Sequence, residues 1–236
     1  MISPGDSQPD AGVVIVAAGA GVRAGPGEPK QFRPILGVPM LLRALRPFTS
    51  HPAVSQVVVV LPAGFDTRPP EWLAKLLGER LTLVPGGPTR AHSVRAGLRG
   101  LAPGEGTALV LVHDGARPFV TRETIDGVLA KARAGVGAVA AIPVSDTVKD
   151  VEHERIMKTV ARNRLWRAQT PQGFPRAMIE RAYAELANGD AAPTDDAELC
   201  ERAGFPVEVV PDSPYNLKVT TADDFRIAEA LARELR

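Results

Sequence analysis

Short apolar runs alternate with helical patterns along the first half of the chain. Nearly continuous apolar stretches occur at residues 13–18, 57–61, 81–84, 108–112 and 138–142. Such runs are typical of strands that are covered on both faces, as in parallel sheets. Helical spacing of apolar residues occurs at 40–48, 71–77, 90–101 and 121–134. This alternation predicts an α/β fold with a doubly wound, mostly parallel sheet and a ligand site at the carboxyl ends of its strands.

The pattern changes between residues 144 and 165. This segment is rich in charge and alternates polar with β-branched residues around Val148, Val151 and Val160. It predicts a two-stranded β-arm that leaves the main sheet. Because an isolated two-stranded ribbon is only marginally stable in water, we expect the arm to pack on a partner subunit and to form a homodimer.

The remaining patterns complete one predicted domain, residues 11–236. Helices are predicted at 176–187 and 195–203, a strand at 207–210, and a closing helix from residue 222. Residues 1–10 show neither the strand nor the helix pattern, and we expect a frayed tail there.

Composition narrows the classes of partner and compartment. Lys and Arg total 28 against 27 Asp and Glu, which predicts no nucleic-acid or membrane surface, so any anion site is local. The first residues lack the pattern of a signal peptide, and the apolar runs are shorter than the roughly 20 residues that span a bilayer. The single cysteine, Cys200, excludes an internal disulfide and a multi-cysteine zinc site. These features predict a cytoplasmic protein.

A glycine-rich loop follows the first predicted strand, at residues 17–31. Gly19, Gly21 and Ala24 match the loose dinucleotide pattern G-x-G-x-x-G/A, which would indicate a nicotinamide dehydrogenase. That fingerprint needs a helix to begin within it, and the prolines at 26 and 29 make a continuous helix costly. The segment contains no Gly-Lys-Ser/Thr, so it is not a Walker A loop. Two cations, Arg23 and Lys30, lie beside a backbone cradle that suits a triphosphate, although a solvated surface loop has the same composition.

This loop resembles the signature loop of the cytidylyltransferases that act on 2-C-methyl-D-erythritol 4-phosphate in the non-mevalonate isoprenoid pathway. Residues 86–94 resemble the cytidine-binding segment of that family, and residues 113–118 resemble its His-Asp-Ala-Ala-Arg-Pro motif. Further matches follow in family order at 146–149, 162–166, 169–172, 194–196 and 216–220. The resemblance implies a Rossmann-like nucleotidyltransferase domain with a protruding arm, and transfer of CMP from CTP to the sugar-alcohol phosphate.

The resemblance also implies a set of site residues. The catalytic residues would be Arg23, Lys30, Arg162 and Lys218. The nucleotide would be bound by Ala17, Ala18, Gly19, Gly21, Gly86, Gly87 and Ser93. The polyol phosphate would be bound by Asp114, Arg117, Thr147, Thr170 and Thr194. Asp114 would also lie near a required Mg²⁺ ion, and Arg162 and Thr147 would enter the active site of the neighbouring subunit.

The implied chemistry places few demands on acid or base groups. Attack of a phosphate oxygen on the α-phosphorus of CTP builds negative charge on the α-phosphate and on the departing pyrophosphate, so fixed cations should dominate catalysis. A phosphate monoester with a second pKa of about 6 is already largely ionised at neutral pH. The cations Arg23 and Lys30 are therefore expected to stabilise the transition state.

Two positions depart from the family pattern, and other functions remain open. Pro88 stands where family members often carry an acidic residue and has no N–H to donate, and Gly115 replaces an alanine. A cytidylyltransferase acting on ribitol 5-phosphate resembles the same loop and arm. A nucleotide-binding subunit without catalytic activity is a further alternative, although binding alone does not require both Arg23 and Lys30.

Overall fold

The computed structural model describes residues 8–19, 29–186 and 192–235. The strands are β1 (Ala11–Val16), β2 (Pro34–Ile35), β3 (Val38–Pro39), β4 (Val54–Leu61), β5 (Leu81–Pro85), β6 (Leu109–Asp114), β7 (Gly137–Pro143), β8 (Val148–Glu152), β9 (Arg155–Val160), β10 (Trp166–Pro175) and β11 (Val207–Pro211). The α-helices are α1 (Met40–Thr49), α2 (Glu71–Ala74), α3 (Arg90–Gly100), α4 (Arg122–Arg133), α5 (Arg176–Glu185), α6 (Asp196–Arg202) and α7 (Ala222–Glu234). Short 3-10 helices lie at Lys30–Phe32 and Glu105–Thr107.

Seven strands form a central sheet in the order β11-β7-β10-β6-β1-β4-β5. Strand β1 pairs in parallel with β4 and β6, β4 with β5, and β11 with β7. Strand β10 alone among the seven runs antiparallel, between β6 and β7. The mostly parallel α/β sheet predicted from the apolar runs is therefore confirmed.

Helices cover both faces of this sheet. Along β1, Val13 and Ile15 pack with α1 and α4 on one face, whereas Val14 packs with α3 and α5 on the other. Because successive strand residues point to opposite faces, both sets must be apolar, and this explains the near-continuous runs. The doubly wound arrangement is confirmed. In the described part of the chain, no helix is both long and apolar enough to cross a membrane.

Strand β10 was not predicted. Its sequence is polar and contains Pro171 as well as the terminal Pro175, a composition that argues against a central strand. It nevertheless pairs with β7 over 166–168 and again at 172–173, and with β6 over 172–175. The register with β7 shifts between Ala168 and Gln172, around Pro171. Long-range pairing overrides local propensity here.

Strands β8 and β9 form a separate two-stranded antiparallel sheet from the segment with alternating residues. Most of their side chains are exposed. At the base of this hairpin, the Val144 N–H donates to the Leu165 carbonyl oxygen over 3.0 Å. The two predicted strands are present, and their projection as an arm onto a partner subunit stays a prediction.

Two predicted boundaries are wrong. Helix α2 ends at Ala74 rather than near Leu77, because the chain turns so that Gly78 can pair with Leu81. The predicted frayed tail reaches too far, since the Asp10 carboxylate lies 2.7 Å from Arg133 and its backbone N–H donates to the carbonyl oxygen of residue 53. Residues 1–7 of that predicted tail lie outside the described residues.

Candidate active site

A cavity of about 500 Å³ opens at the carboxyl ends of β1 and β6. From β1 the chain first moves outward to β4 and β5 and then returns to β6 on the other side of β1. This reversal of strand order is the position at which open α/β sheets bind ligands. The cavity is lined by Val16, Ala17, Ala18, Gly19, Lys30, Gln31, Gly87, Pro88, Thr89, Arg90, Ser93, Asp114, Gly115, Ala116 and Lys218.

The turn between β5 and α3 fits tightly against the segment that follows β1. A Cβ atom at Gly86 would lie 2.2 Å from the Cβ of Ala18, so only glycine permits this approach. The Ser93 hydroxyl accepts from the Gly87 N–H over 3.2 Å and donates to the Thr89 carbonyl oxygen over 3.1 Å. Ser93 therefore holds the turn in place, which keeps backbone groups facing the cavity.

Lys30 begins a short 3-10 helix, and Phe32 in the same helix fixes its position. Phe32 is buried, and its ring centroid lies 5.0 Å from that of Phe65, which anchors the segment to the core. The Lys30 ammonium donates to the carbonyl oxygen of Val219 over 3.0 Å. This contact joins the loop after β1 to the segment before α7 and fixes a positive charge at the cavity.

Asp114, at the end of β6, is a buried carboxylate surrounded by cations. Its oxygens lie 2.8 Å from the Lys218 ammonium, 3.5 Å from Nε of Arg90 and 3.9 Å from Nε of Arg117. Burial by itself would raise the pKa of this carboxyl group, but the three cations together lower the pKa well below its ordinary value. Asp114 therefore stays ionised and holds Lys218 and Arg90 at the cavity.

Arg90 is a site residue that sequence reasoning missed. It begins α3, and its Nη2 lies 2.7 Å from the carboxylate of Asp196, which is fully buried. The Tyr183 hydroxyl donates to the other carboxylate oxygen over 2.6 Å. Burial works against the charge on Arg90, yet Asp196 and Asp114 raise its pKa above the ordinary value. The sequence shows an arginine directly after the helix cap Thr89, but it does not show that Arg90 pairs with Asp196, which lies 106 residues further along the chain.

Thr170 joins a buried network beneath Asp114. His113 Nε2 lies 3.0 Å from the Arg117 carbonyl oxygen, which can only accept, so this nitrogen carries the proton. The Nδ1 atom therefore accepts from the Thr170 hydroxyl over 3.0 Å, and that hydroxyl also accepts from the Asp114 N–H over 3.0 Å. The Thr170 proton is thus directed at His113 rather than toward a ligand.

His113 should make folding stability sensitive to pH. Burial lowers the pKa of its imidazole from 6.5 to about 4, although hydrogen bonding to Arg117 and the charge of Asp114 oppose the shift. Between these values the unfolded chain binds a proton that the folded chain excludes, so the free energy of unfolding should fall by about 3 kcal/mol as the pH drops through this window. Urea unfolding at several pH values measures the effect.

The comparison variant for this measurement is His113→Gln, whose stability should depend less on pH between 6.5 and about 4. The effect of Asp114 on folding stability occurs at lower pH than that of His113. A carboxyl group with a lowered pKa reduces stability only as the pH falls below its ordinary pKa of 3.8. Equal slopes for the wild type and His113→Gln would contradict the assignment.

Arg117 faces a neighbouring cavity of about 590 Å³. It is buried, and its Nη1 donates to the Asn216 carbonyl oxygen over 2.6 Å. Arg167 and Lys218 line the same cavity, so Lys218 borders both cavities. Three cations and one carboxylate, that of Asp224, therefore line the second cavity, and their net positive charge favours an anion there.

Thr194 precedes α6 but does not cap it. Asp195 is the cap, since its carboxylate accepts from the Glu198 N–H over 2.9 Å. The Thr194 hydroxyl and N–H instead both donate to the Glu198 carboxylate, at 2.8 and 2.7 Å. These bonds, with that from Arg202, lower the pKa of the Glu198 carboxyl to about 2. Thr194 is therefore engaged within its own turn.

The cavity brings together half of the sixteen predicted site residues. Those lining it are Ala17, Ala18, Gly19, Lys30, Gly87, Ser93, Asp114 and Lys218. Those described elsewhere are Gly86, against Ala18; Arg117, in the second cavity; Thr170, beneath Asp114; Thr194, before α6; and Thr147 and Arg162, which flank the β8–β9 hairpin. Gly21 and Arg23 lie outside the described residues.

The arrangement suits a polyanion. Lys30, Lys218 and Arg90 concentrate positive charge on a chain whose formal net charge is only +1. Backbone groups held close by glycine packing complete the cavity, as in sites that bind phosphates. The cavity is therefore suited to binding a ligand that carries several phosphate groups.

Comparison with known proteins agrees with this geometry. The model of the IspD family, 2-C-methyl-D-erythritol 4-phosphate cytidylyltransferase, matches residues 11–234. A protein of that name from Syntrophus aciditrophicus is 38% identical over 234 residues, covering 96% of this chain and 97% of the relative. Another from Streptomyces coelicolor is 44% identical over 234 residues, covering 94% of this chain and 85% of the relative.

A solved structure extends the comparison to the fold. The crystal structure of 2-C-methyl-D-erythritol 4-phosphate cytidylyltransferase from Thermus thermophilus matches with a TM-score of 0.79 and 35% identity. The match covers 95% of this chain and 99% of that one. With the cation-lined cavity at the strand ends and a family match over nearly its whole length, the chain belongs to the 2-C-methyl-D-erythritol 4-phosphate cytidylyltransferase family.

Proposed function

We propose that this chain transfers CMP from CTP to 2-C-methyl-D-erythritol 4-phosphate, which yields 4-diphosphocytidyl-2-C-methyl-D-erythritol and pyrophosphate in isoprenoid precursor biosynthesis. The observation that carries the proposal is the cavity at the switch point of the sheet, which is lined by the cations Lys30, Lys218 and Arg90 and by the carboxylate of Asp114. The family match over residues 11–234 supplies the identity of the two substrates.

The reaction forms one phosphorus–oxygen bond and breaks another. A phosphate oxygen of the acceptor attacks the α-phosphorus of CTP, and the bond to the β-phosphate oxygen breaks as pyrophosphate leaves. Because the acceptor phosphate is largely ionised at neutral pH, no side chain has to remove a proton. The protein is left to align the two substrates and to stabilise the charge that develops.

The roles of the cations follow from their positions. Lys30 borders the cavity with its ammonium tied to Val219, which supports a fixed positive charge at the triphosphate. Lys218 borders both cavities, which supports contact with the acceptor phosphate where it meets the nucleotide. Arg23 is proposed as the second transition-state cation and Arg162 as a second clamp on the acceptor phosphate, both from the family resemblance.

The nucleoside is proposed to lie between two backbone segments. Residues 17–19 follow β1, and residues 86–89 connect β5 to α3, whose first turn contains Ser93. Ser93 holds the second segment through Gly87 and Thr89, so its backbone groups are preorganised to contact the cytosine edge and ribose. Pro88 lines the cavity, and its missing N–H makes recognition depend on the groups beside it.

We propose Mg²⁺ as the cofactor. Within the described residues no group of three or more His, Cys, Asp or Glu side chains forms a cluster that could hold a metal ion. The single carboxylate of Asp114 fits an ion that is held mainly by triphosphate oxygens, with Asp114 as the contribution of the protein. When bound, such an ion neutralises negative charge on the phosphates.

We also propose a homodimer that forms through the β8–β9 hairpin, in the cytoplasm. The hairpin exposes the apolar side chains of Val151, Ile156 and Met157, each more than half accessible. Val151 and Ile156 are paired across the hairpin, and an exposed apolar pair of this kind can be buried in a protein interface. The compartment is supported by the cysteine content, because the single cysteine, Cys200, forms no internal disulfide, as is usual for proteins of a reducing compartment.

A mixing experiment tests whether the sites are shared between subunits. The variants Lys30→Ala and Arg162→Ala should each be nearly inactive alone. After co-expression, activity should return to about a quarter of the wild-type rate, because half of randomly paired dimers are mixed and each holds one intact site. Steady-state rates measure this recovery, and a mixture no more active than its components would contradict a shared site.

The function is tested by pyrophosphate release from the purified protein. CTP, Mg²⁺ and 2-C-methyl-D-erythritol 4-phosphate should support turnover together, whereas ATP or GTP in place of CTP should not. Ribitol 5-phosphate is the control for the acceptor. Turnover with ribitol 5-phosphate alone would replace the proposed acceptor, and no release with any pair would favour a binding protein without catalytic activity.

A further inference from the structure

A buried amide at the cavity has an unused hydrogen-bond donor. Gln31 lines the cavity and is only 3% exposed. Within the part of the chain that the structure describes, its side-chain Nε2 has no hydrogen-bond partner. Leaving such a donor buried and unpaired costs free energy, so a native structure keeps one where a ligand can use it.

The position of this amide is fixed by packing. Gln31 is the central residue of the Lys30–Phe32 helix, and the Phe32 ring packs against Phe65 and, at 6.4 Å between ring centroids, against Trp72. The Gln31 side chain is therefore held beside the cavity before any ligand arrives, which lowers the entropic cost of binding.

The amide nitrogens of the other buried Gln and Asn side chains among the described residues all have acceptors. Gln172 Nε2 donates to the Asp195 carboxylate over 2.9 Å, and the amide nitrogens of Gln169 and Asn216 donate to backbone carbonyl oxygens over 2.9 and 2.8 Å. The half-buried Gln56 also has a partner, since its amide oxygen accepts from the Ala102 N–H over 2.8 Å. The amide oxygens of Gln169 and Asn216 lack partners, but within the described part of the chain only Gln31 has an unpaired buried amide nitrogen.

The surroundings of Gln31 identify the kind of atom that it meets. Lys30 and Lys218 line the same cavity, and an N–H donor beside two cations favours an anionic oxygen. The backbone segments proposed to hold the nucleoside line this cavity as well, whereas the second cavity, with Arg117, is the one beyond Lys218. Gln31 thus belongs to the nucleotide side of the site.

We propose that Gln31 is a nucleotide-binding residue whose Nε2 donates a hydrogen bond to a phosphoryl oxygen of CTP. This inference rests on the proposed function and adds a residue to it. A neutral donor orients the triphosphate without adding charge, which complements the less directional attraction of the lysine ammonium groups.

The test is the substitution Gln31→Met, which keeps the shape of the side chain and removes the donor. Calorimetric titration with CTP and Mg²⁺, without the acceptor, should show affinity weaker by about 10- to 100-fold. The KM for CTP should rise by a similar factor, while kcat at saturating CTP changes little. The thermal stability of the free protein should be unchanged or higher, because an unpaired buried donor has been removed.

Two further variants sharpen the result. Gln31→Glu places an anion against the triphosphate and should weaken CTP binding more than Gln31→Met does. The control is Gln56→Met on β4, where the amide has protein partners and lines neither of the two cavities described above. Gln56→Met should lower the stability of the free protein and leave CTP affinity unchanged.

Measurements on the wild type distinguish failure of the proposed function from failure of the proposed role of Gln31. If the wild type neither binds CTP nor releases pyrophosphate, the proposed function fails. If the wild type is active and Gln31→Met binds CTP equally well, or raises only the KM for the polyol phosphate, the proposed function stands and the role of Gln31 is overturned. Loss of stability in free Gln31→Met with unchanged CTP affinity would assign the amide a structural role instead.

Discussion

Replacing Lys30 by alanine should lower kcat by about 10²- to 10³-fold, the usual cost of removing one preorganised group that stabilises transition-state charge. The ammonium is held in place by the carbonyl oxygen of Val219, a fully buried residue, so it needs no rearrangement as charge develops. The KM for CTP should change less than kcat, because the charge on the phosphates is greatest in the transition state. Steady-state kinetics with CTP as the varied substrate measure both constants.

The matched control is Lys75→Ala. Lys75 is an exposed lysine beside α2 that pairs with Glu71, and its removal should leave kcat unchanged. Thermal unfolding of Lys30→Ala should show a folded protein, so that loss of rate is not loss of structure. Turnover by Lys30→Ala within a factor of about three of the wild type would remove Lys30 from the proposed mechanism, since the expected loss is far larger.

Replacing Arg90 by methionine should lower the free energy of unfolding by about 3–5 kcal/mol, because the Asp196 carboxylate is left buried without its cation. Asp196 is fully buried, and in Arg90→Met its carboxylate would keep only uncharged partners such as the Tyr183 hydroxyl. The same variant removes one of the cations beside Asp114, so turnover should fall as well. Urea unfolding followed by circular dichroism measures the change in stability.

The double variant Arg90→Met/Asp196→Asn removes the stranded charge and keeps an oxygen for Tyr183. It should be more stable than Arg90→Met alone by about 2 kcal/mol, because the uncompensated charge is the main cost. Arg226→Met is the surface control, since its pair with Asp223 is exposed and should contribute less than about 1 kcal/mol. A double variant no more stable than Arg90→Met would show that the cost lies in lost packing.

Local sequence was sufficient for the parallel part of the fold. Residues such as Val13, Val14 and Ile15 are apolar at consecutive positions because helices cover both faces of β1, and that pattern is visible without knowledge of partners. The position of the ligand cavity followed from the same pattern, since strand ends in such a sheet meet at one edge.

Strand β10 and its buried polar residues could not be predicted from the local sequence pattern. The sequence beside Pro171 predicts a turn at Gln172. The residue is nevertheless buried, because its amide makes hydrogen bonds with Asp195, 23 residues further along the chain, and with the start of α6. Arg90 is likewise defined by Asp196, across 106 residues. A buried polar residue is acceptable only once its partner is known, and a single sequence does not state that partner.

The hairpin of β8 and β9 begins and ends on the neighbouring strands β7 and β10 of the sheet. Trp166 pairs with Pro143, and the next rung is the bond from Val144 to Leu165. Its two ends are therefore already closed by the β7–β10 ladder, so the intervening segment adds little constraint to the rest of the domain. Changes in the length or sequence of this hairpin should therefore leave the folding of the nucleotide-binding core intact.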